Sequence, residues 1–155
     1  MYNNRNRRGF LPIILLLVII IGGYIIIRYV LFSPSRQAIH VVEKFYEYEQ
    51  TGDYSNSWEL LHSMMKERLP KGGYIQDRVH VFMGHFGADT FEFKINEKRE
   101  LSNWKMTKES KALDTVYEVK VTQSYKGKYG TFEFVQYVYV AEEKGDWLIL
   151  WDFNQ

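Results

Sequence analysis

The chain contains no cysteine. That excludes thiol catalysis, cysteine-ligated zinc, disulfide staples and an acylated N-terminal cysteine together. It also lacks a glycine-rich phosphate loop, a nucleophile elbow and a zinc signature. Strong charge of either sign is missing as well, the formal net charge being +1. What charge there is lies unevenly: Arg5, Arg7, Arg8 and Arg28 stand in or before the first apolar stretch, where no acid occurs, and the remaining 16 basic residues face 19 acidic ones. The part beyond that stretch is therefore slightly acidic, and a nucleic-acid-binding surface is not indicated. No cofactor or metal site is suggested. With disulfides excluded, stability has to come from packing, and aromatic residues at 17% of the chain supply the means.

One long hydrophobic run is present. From Leu11 to Ile27 no charge interrupts the sequence, and apolar residues continue past Arg28 to Phe32. As a helix, residues 10–32 would extend about 34 Å, enough for a hydrocarbon core of about 30 Å. Pro12 is expected in the first turn, where its missing N–H matters little, with Phe10, Tyr24, Tyr29 and Phe32 as aromatic anchors and Arg28 reaching back to the headgroups. The run exceeds a signal-peptide core, and Ser33-Pro34-Ser35 is a poor cleavage site. Three arginines before it favour a cytoplasmic N-terminus and an extracytoplasmic C-terminal domain. Gly22 and Gly23 have no small residue four positions away, so the close-packing dimer motif is absent. The expected organisation is a basic tail over residues 1–9, a membrane helix contacting the bilayer over 10–32, and one water-facing domain over 33–155.

Within that domain Ala38, Val41, Val42, Phe45 and Tyr48 recur at helical spacing, predicting a first helix to about Gln50. Asn56 with Glu59 reads as a capping pair opening a second helix, with Trp58, Leu61 and Met65 on one face and Pro70 ending it. Ile75, Val79, Phe82, Met83 and Phe86 mark a third, stopped by Gly87. Alternation then takes over: Phe91, Phe93 and Ile95 in one strand, Trp104 and Met106 in the next, then Tyr117 to Val121, Phe132 to Ala141, and Trp147 to Phe153. The fold class is α+β, with three helices packed on a curved antiparallel sheet of four to five strands.

The run Gly52-Asp53-Tyr54 leading to Trp58-Glu59-Leu60-Leu61, and the ending Lys144-Gly145-Asp146-Trp147-Leu148-Ile149-Leu150-Trp151-Asp152, resemble the nuclear transport factor two-like superfamily of cone-shaped α+β domains. The likeness is closest to the small extracytoplasmic module near the membrane anchor of low-affinity penicillin-binding proteins in Gram-positive bacteria. It implies a module and its anchor without the enzyme, since no transpeptidase serine motif follows. Some members of the superfamily are isomerases or dehydratases that place an Asp, Tyr or His inside the cone, which raises a rival expectation: a small-molecule isomerase or lyase with His62, His85 or Asp152 as base.

For the histidines, surface or core-edge roles are the plainer expectation, because no carboxylate sits at a diagnostic spacing. His80 and His85, five residues apart, diverge by about 140° around a helix. Asp152 has the parity opposite to Trp147, Ile149 and Trp151, and points outward if those aromatics face the helices. Trp58, His62, His85, Tyr137, Tyr139, Trp147 and Trp151 are the candidates for lining a cavity or a partner surface, Tyr137 and Tyr139 as a stripe on the open sheet face. The function expected is a non-enzymatic, single-pass module of the bacterial cell envelope that binds a protein partner or a small ligand, with a protein partner or a second copy meeting the open sheet face. A spacer within an envelope complex is the remaining alternative.

Overall fold

The computed structural model describes residues 7–154 apart from 32, 86 and 89; the side chains of 7–11, 27–31, 82, 83 and 85 lie outside the description. The chain divides into two compact units, residues 1–36 and 37–155.

The first unit is dominated by α1, Arg7–Leu31. Because the helix begins at Arg7, Pro12 stands in its second turn rather than its first, where the ring removes a backbone hydrogen bond. The apolar side chains from Ile13 to Ile26 are all largely uncovered by protein. Among the described residues no helix is long and apolar enough to cross a membrane. The described side chains of α1 run only from 12 to 26, short of the roughly 20 residues a span requires. Residues 1–6 and Phe32, with the side chains of Phe10, Arg28 and Tyr29, fall outside the described residues.

The second unit is α+β. Helix α2, Pro34–Gln50, buries Ala38, Val42, Phe45, Tyr46 and Glu49. The buried stripe thus turns through Tyr46 and Glu49 rather than the expected Tyr48, because true helical drift carries the face from 38 through 42 and 45 to 49. The expected second helix is two: α3, Tyr54–Glu59, and α4, Ser63–Arg68. Between them Leu61 forms a parallel bridge with Ile149, so the chain must leave helical geometry there. The cap is also different from the Asn56 and Glu59 pair: Asp53 accepts the Asn56 backbone N–H at 3.2 Å and the Asn56 side-chain amide at 2.7 Å. Helix α5, Lys71–Val79, continues into a π-helical segment, His80–His85. Its buried position is Tyr74, and Ile75 packs against the core as expected, whereas Val79 of the expected stripe is exposed, as is Val81.

Four antiparallel strands follow in the order β1-β2-β3-β4: β1 Phe91–Trp104, β2 Leu113–Gly127, β3 Gly130–Glu143 and β4 Asp146–Leu150. The two strands expected before Tyr117 are one, since the charged run after Ile95 pairs residue for residue with β2 once a bulge at Asn96 has shifted the register. The last strand stops at Leu150, not Phe153. Beyond it the Phe153 N–H donates to the Met106 carbonyl and the Asn154 amide donates to Lys105, so the tail binds the loop after β1 instead of extending the sheet.

Paired residues share a face, which sorts the sheet. Val119, Val121 and Tyr125 of β2 with Val138 and Phe132 of β3 form the face toward α2, whose Tyr46 ring lies 5.5 Å from Phe93 and 6.3 Å from Phe91. On the other face stand Glu118, Lys120, Tyr137 and Tyr139. Replacing Asp53 by Ala should lower stability by about 1 kcal/mol through loss of the α3 cap, whereas Glu59→Ala should change it by less than half as much; urea denaturation followed by tryptophan fluorescence checks the difference.

Candidate functional site

Glu49 is the buried carboxylate of the α2 stripe, 3% exposed, and three side chains are organised around it. Arg78 of α5 donates from Nη2 to Oε2 at 2.6 Å. Ser57 of α3 donates to Oε1 at 2.5 Å, and Tyr74 of α5 donates to the same oxygen at 2.6 Å. Helical spacing explains the convergence. Glu49 lies one turn past Phe45 on the covered face, and Tyr74 and Arg78 are themselves four residues apart on α5. The guanidinium also lies 5.5 Å from the Tyr74 ring and 5.6 Å from the Trp151 ring.

Deeper against the sheet a second polar set continues the first. Tyr46 donates its hydroxyl to the Gln136 carbonyl oxygen at 2.9 Å, and Tyr125 donates to Gln123 at 2.7 Å. Burial pushes the Tyr46, Tyr74 and Tyr125 phenols far above the ordinary tyrosine value, so all three remain neutral donors. Burial opposes the charge on Arg78, but Glu49 beside it, helped by Tyr74 and Tyr46, outweighs that and raises its pKa. Carboxylate, guanidinium and phenols are each engaged, which suits holding three helices together better than moving protons.

The residues anticipated from sequence fall in several different places. Trp58 covers the α3–α4 junction, its indole N–H donating to the Leu69 carbonyl at 2.7 Å, with the Lys66 and Lys71 ammonium groups 4.9 and 5.3 Å from its ring. His62 is buried as the N-cap of α4: its Nδ1 accepts the Met64 N–H at 3.2 Å, and its own N–H donates to Ile149. Trp151 joins the Glu49 group, stacked 6.5 Å from Tyr74, with a buried indole nitrogen that has no hydrogen-bond partner among the described residues. Trp147 packs 5.5 Å from Tyr117 at the far end of the sheet. The side chain of His85 lies outside the described residues, and Asp152 is exposed, accepting from Asn154. His62 and Asp152 are thus taken up in a cap and a tail turn.

The open face does not carry a continuous tyrosine stripe. Tyr139, in β3 rather than a fourth strand, is buried under Trp104 with ring centroids 4.5 Å apart and donates to Glu118 at 3.0 Å. Tyr137 is half exposed. The two border a surface hollow of about 340 Å³ with Glu97, Lys98, Arg99, Glu118 and Lys120. Arg99 reaches Glu118 at 2.6 Å and Lys120 reaches Glu97 at 3.6 Å, so much of the local charge is internally paired. Among the described residues no cluster of acids and histidines is arranged to hold a metal ion.

Sequence reasoning passed over Glu49, Arg78, Ser57, Tyr74 and Gln136. The available signal was that Glu49 and Arg78 each occupy the position an apolar stripe should fill. No family model matches the chain, and no curated protein is significantly similar to it.

Two expectations follow. Glu49→Leu removes the carboxylate that meets the Arg78 charge and should cost about 3–5 kcal/mol, while adding Arg78→Met should recover part of that loss; denaturant midpoints of the single and double variants measure it. For His62, burial lowers the pKa below the ordinary 6.5, against smaller raising effects of Glu143 and Glu67. The unfolded chain then binds the proton more readily than the folded one. The cap's contribution is complete above pH 6.5 and declines as pH falls from there toward the lowered folded value. His62→Asn, which can cap without titrating, should flatten the stability profile between pH 7.5 and about 5.5 in urea melts.

Proposed function

We propose that the chain is a non-enzymatic, membrane-anchored module of the bacterial cell envelope, whose α+β unit stands outside the membrane and binds a protein partner on the β3 side of its sheet. The observation that carries this reading is the apolar surface of α1. From Ile13 to Ile26 every large hydrophobic side chain described is about half exposed or more. Such a surface is stable in lipid and costly in water. The arginines before it and the scarcity of basic residues just after it favour the orientation.

A binding role is supported by how the interior is used. Its titratable groups are engaged with one another, His62 is a cap, and Asp152 faces solvent. Exposed apolar residues lie instead along the free edge of β3, Phe134 on the face toward α2 and Val135 and Tyr137 on the opposite face. This is also the reading that likeness to the nuclear transport factor two-like modules of penicillin-binding proteins implies. The rival reading, an isomerase or lyase acting in the interior, draws on the unpartnered Trp151 indole nitrogen beside Arg78 and Tyr74. That single donor lacks a free base within the same group.

Protease accessibility tests the orientation directly. With a tag fused after Gln155, added protease should remove the tag from intact cells as completely as from lysed ones; protection until lysis would place the domain in the cytoplasm and overturn the envelope assignment.

A further inference from the structure

The three outer borders of the sheet are treated differently. Along β1 the border carries the bulge at Asn96 and the charged run Glu97-Lys98-Arg99-Glu100, both of which discourage pairing with another strand. Along β4 it is occupied: Ile149 donates to the Leu60 carbonyl at 2.9 Å and accepts from His62 at 2.9 Å. The third border arises because β4 pairs only with Tyr139–Glu143, leaving residues 130–138 of β3 beyond its end. No strand among the described residues pairs with β3 on that side.

Backbone directions along this border follow from Ile149. Its N–H and carbonyl point away from β3, so its neighbours Leu148 and Leu150 bond to Ala141 and Tyr139, their partners in register. The odd-numbered residues of β3 therefore face outward. Below Tyr139 these are Thr131, Glu133, Val135 and Tyr137, and the register with β2 runs without a bulge through the whole segment. The segment has no proline, no lysine and one acid. Phe134, Val135 and Tyr137 are 53%, 47% and 48% exposed. Among the described residues, and apart from the single charge of Glu133, this edge has none of the usual devices that prevent strand addition.

We infer that the occupant is a second copy of this chain, joined through antiparallel self-pairing of residues 131–137 about a two-fold axis at Phe134. The inference rests on the reading of the β3 side as the binding surface and names its partner. Self-pairing centred on any one residue keeps the outward backbone groups opposed, and only centres at 133, 134 and 135 engage three or more of the four outward residues. One centred on Glu133 sets two carboxylates face to face, which is destabilising. One centred on Val135 brings Thr131 opposite Tyr139, whose backbone is already committed to β4. The pairing centred on Phe134 alone matches all four outward residues, Thr131 with Tyr137 and Glu133 with Val135 of the second copy, forming about eight backbone hydrogen bonds. It also covers the exposed Phe134 ring with its own counterpart and leaves no like charges opposed.

The absence of native cysteine makes the geometry measurable. At a non-hydrogen-bonded antiparallel pair the two Cα atoms lie about 4.5 Å apart, within disulfide range. In full chain purified in detergent micelles, Phe134→Cys should oxidise to a disulfide dimer, whereas Tyr129→Cys, exposed but five residues from the axis, should stay monomeric on denaturing gels. Val135→Pro removes an outward N–H without touching the β2 ladder, and proline is tolerated at such an edge. By light scattering the cysteine-free chain should be dimeric at micromolar concentration, and Val135→Pro should shift it to monomer with its circular dichroism unchanged. A monomeric parent chain, a dimer indifferent to Val135→Pro, or crosslinking at 129 equal to that at 134 would each overturn the self-pairing. The envelope module itself stands or falls on tag accessibility, so the two failures are distinguishable. Should Val135→Pro unfold the domain, Phe134→Lys, which places two ammonium groups opposite each other on a solvent-exposed site, replaces it with the same expected loss of dimer.

Discussion

A buried carboxylate must be met by donors or it will not stay charged, and the helical layer of the α+β unit is arranged around meeting that requirement at Glu49. Its oxygens draw Arg78 and Tyr74 from α5 and Ser57 from α3, so two short helices are tied to one side chain of α2. The short helices depend on this. Six residues of α3 and nine of α5 have little helical stability of their own. Packing of Tyr46 and Phe45 against Phe91, Phe93 and Trp151 then seats the layer on the sheet.

The sheet, by contrast, is finished unevenly. Its far face is closed at one end, where Trp104 covers Tyr139 and the tail from Phe153 to Asn154 holds the segment at Met106. At the other end the pairing runs out with β4, and apolar residues of β3 remain in contact with solvent. The same five-residue strand thus decides both where the sheet is sealed and where it is open. The surface hollow between Arg99 and Tyr137 lies on this boundary, its charges largely neutralised within the domain.

Much of the α+β unit was readable from periodicity, because long amphipathic elements advertise themselves: α2, β2 and β3 lie where alternation and helical spacing place them. The errors have particular causes. A charged residue stands in or beside an apolar stripe twice, at Glu49 and at Arg78, and these are the two halves of one ion pair; each half looks misplaced until the other is known. The run from Asn96 to Asn103 read as a break because it is polar, yet an edge strand can be polar on both faces. Leu61 interrupts a helical pattern for the sake of Ile149, some ninety residues later, which no local pattern contains. Of the anticipated site residues only Trp151 lies in the Glu49 group, since aromatic content alone does not distinguish a lining from a core.

The doubly bonded backbone of Ile149 has a consequence for how this chain can change in length. Between Leu60 and His62 on one side and Ala141 on the other, β4 is held in register from both flanks. One residue inserted at 60–62 or at 148–150 would break the match between Leu60, Ile149 and His62, so that both backbone bonds of Ile149 could not be kept together with the pairing to β3. No such ruler governs the loop from Thr107 to Ser110, which folds on its own side chains and lies outside the ladders. A change of length there would disturb those local bonds alone, while one in the β4 segment would disturb the core.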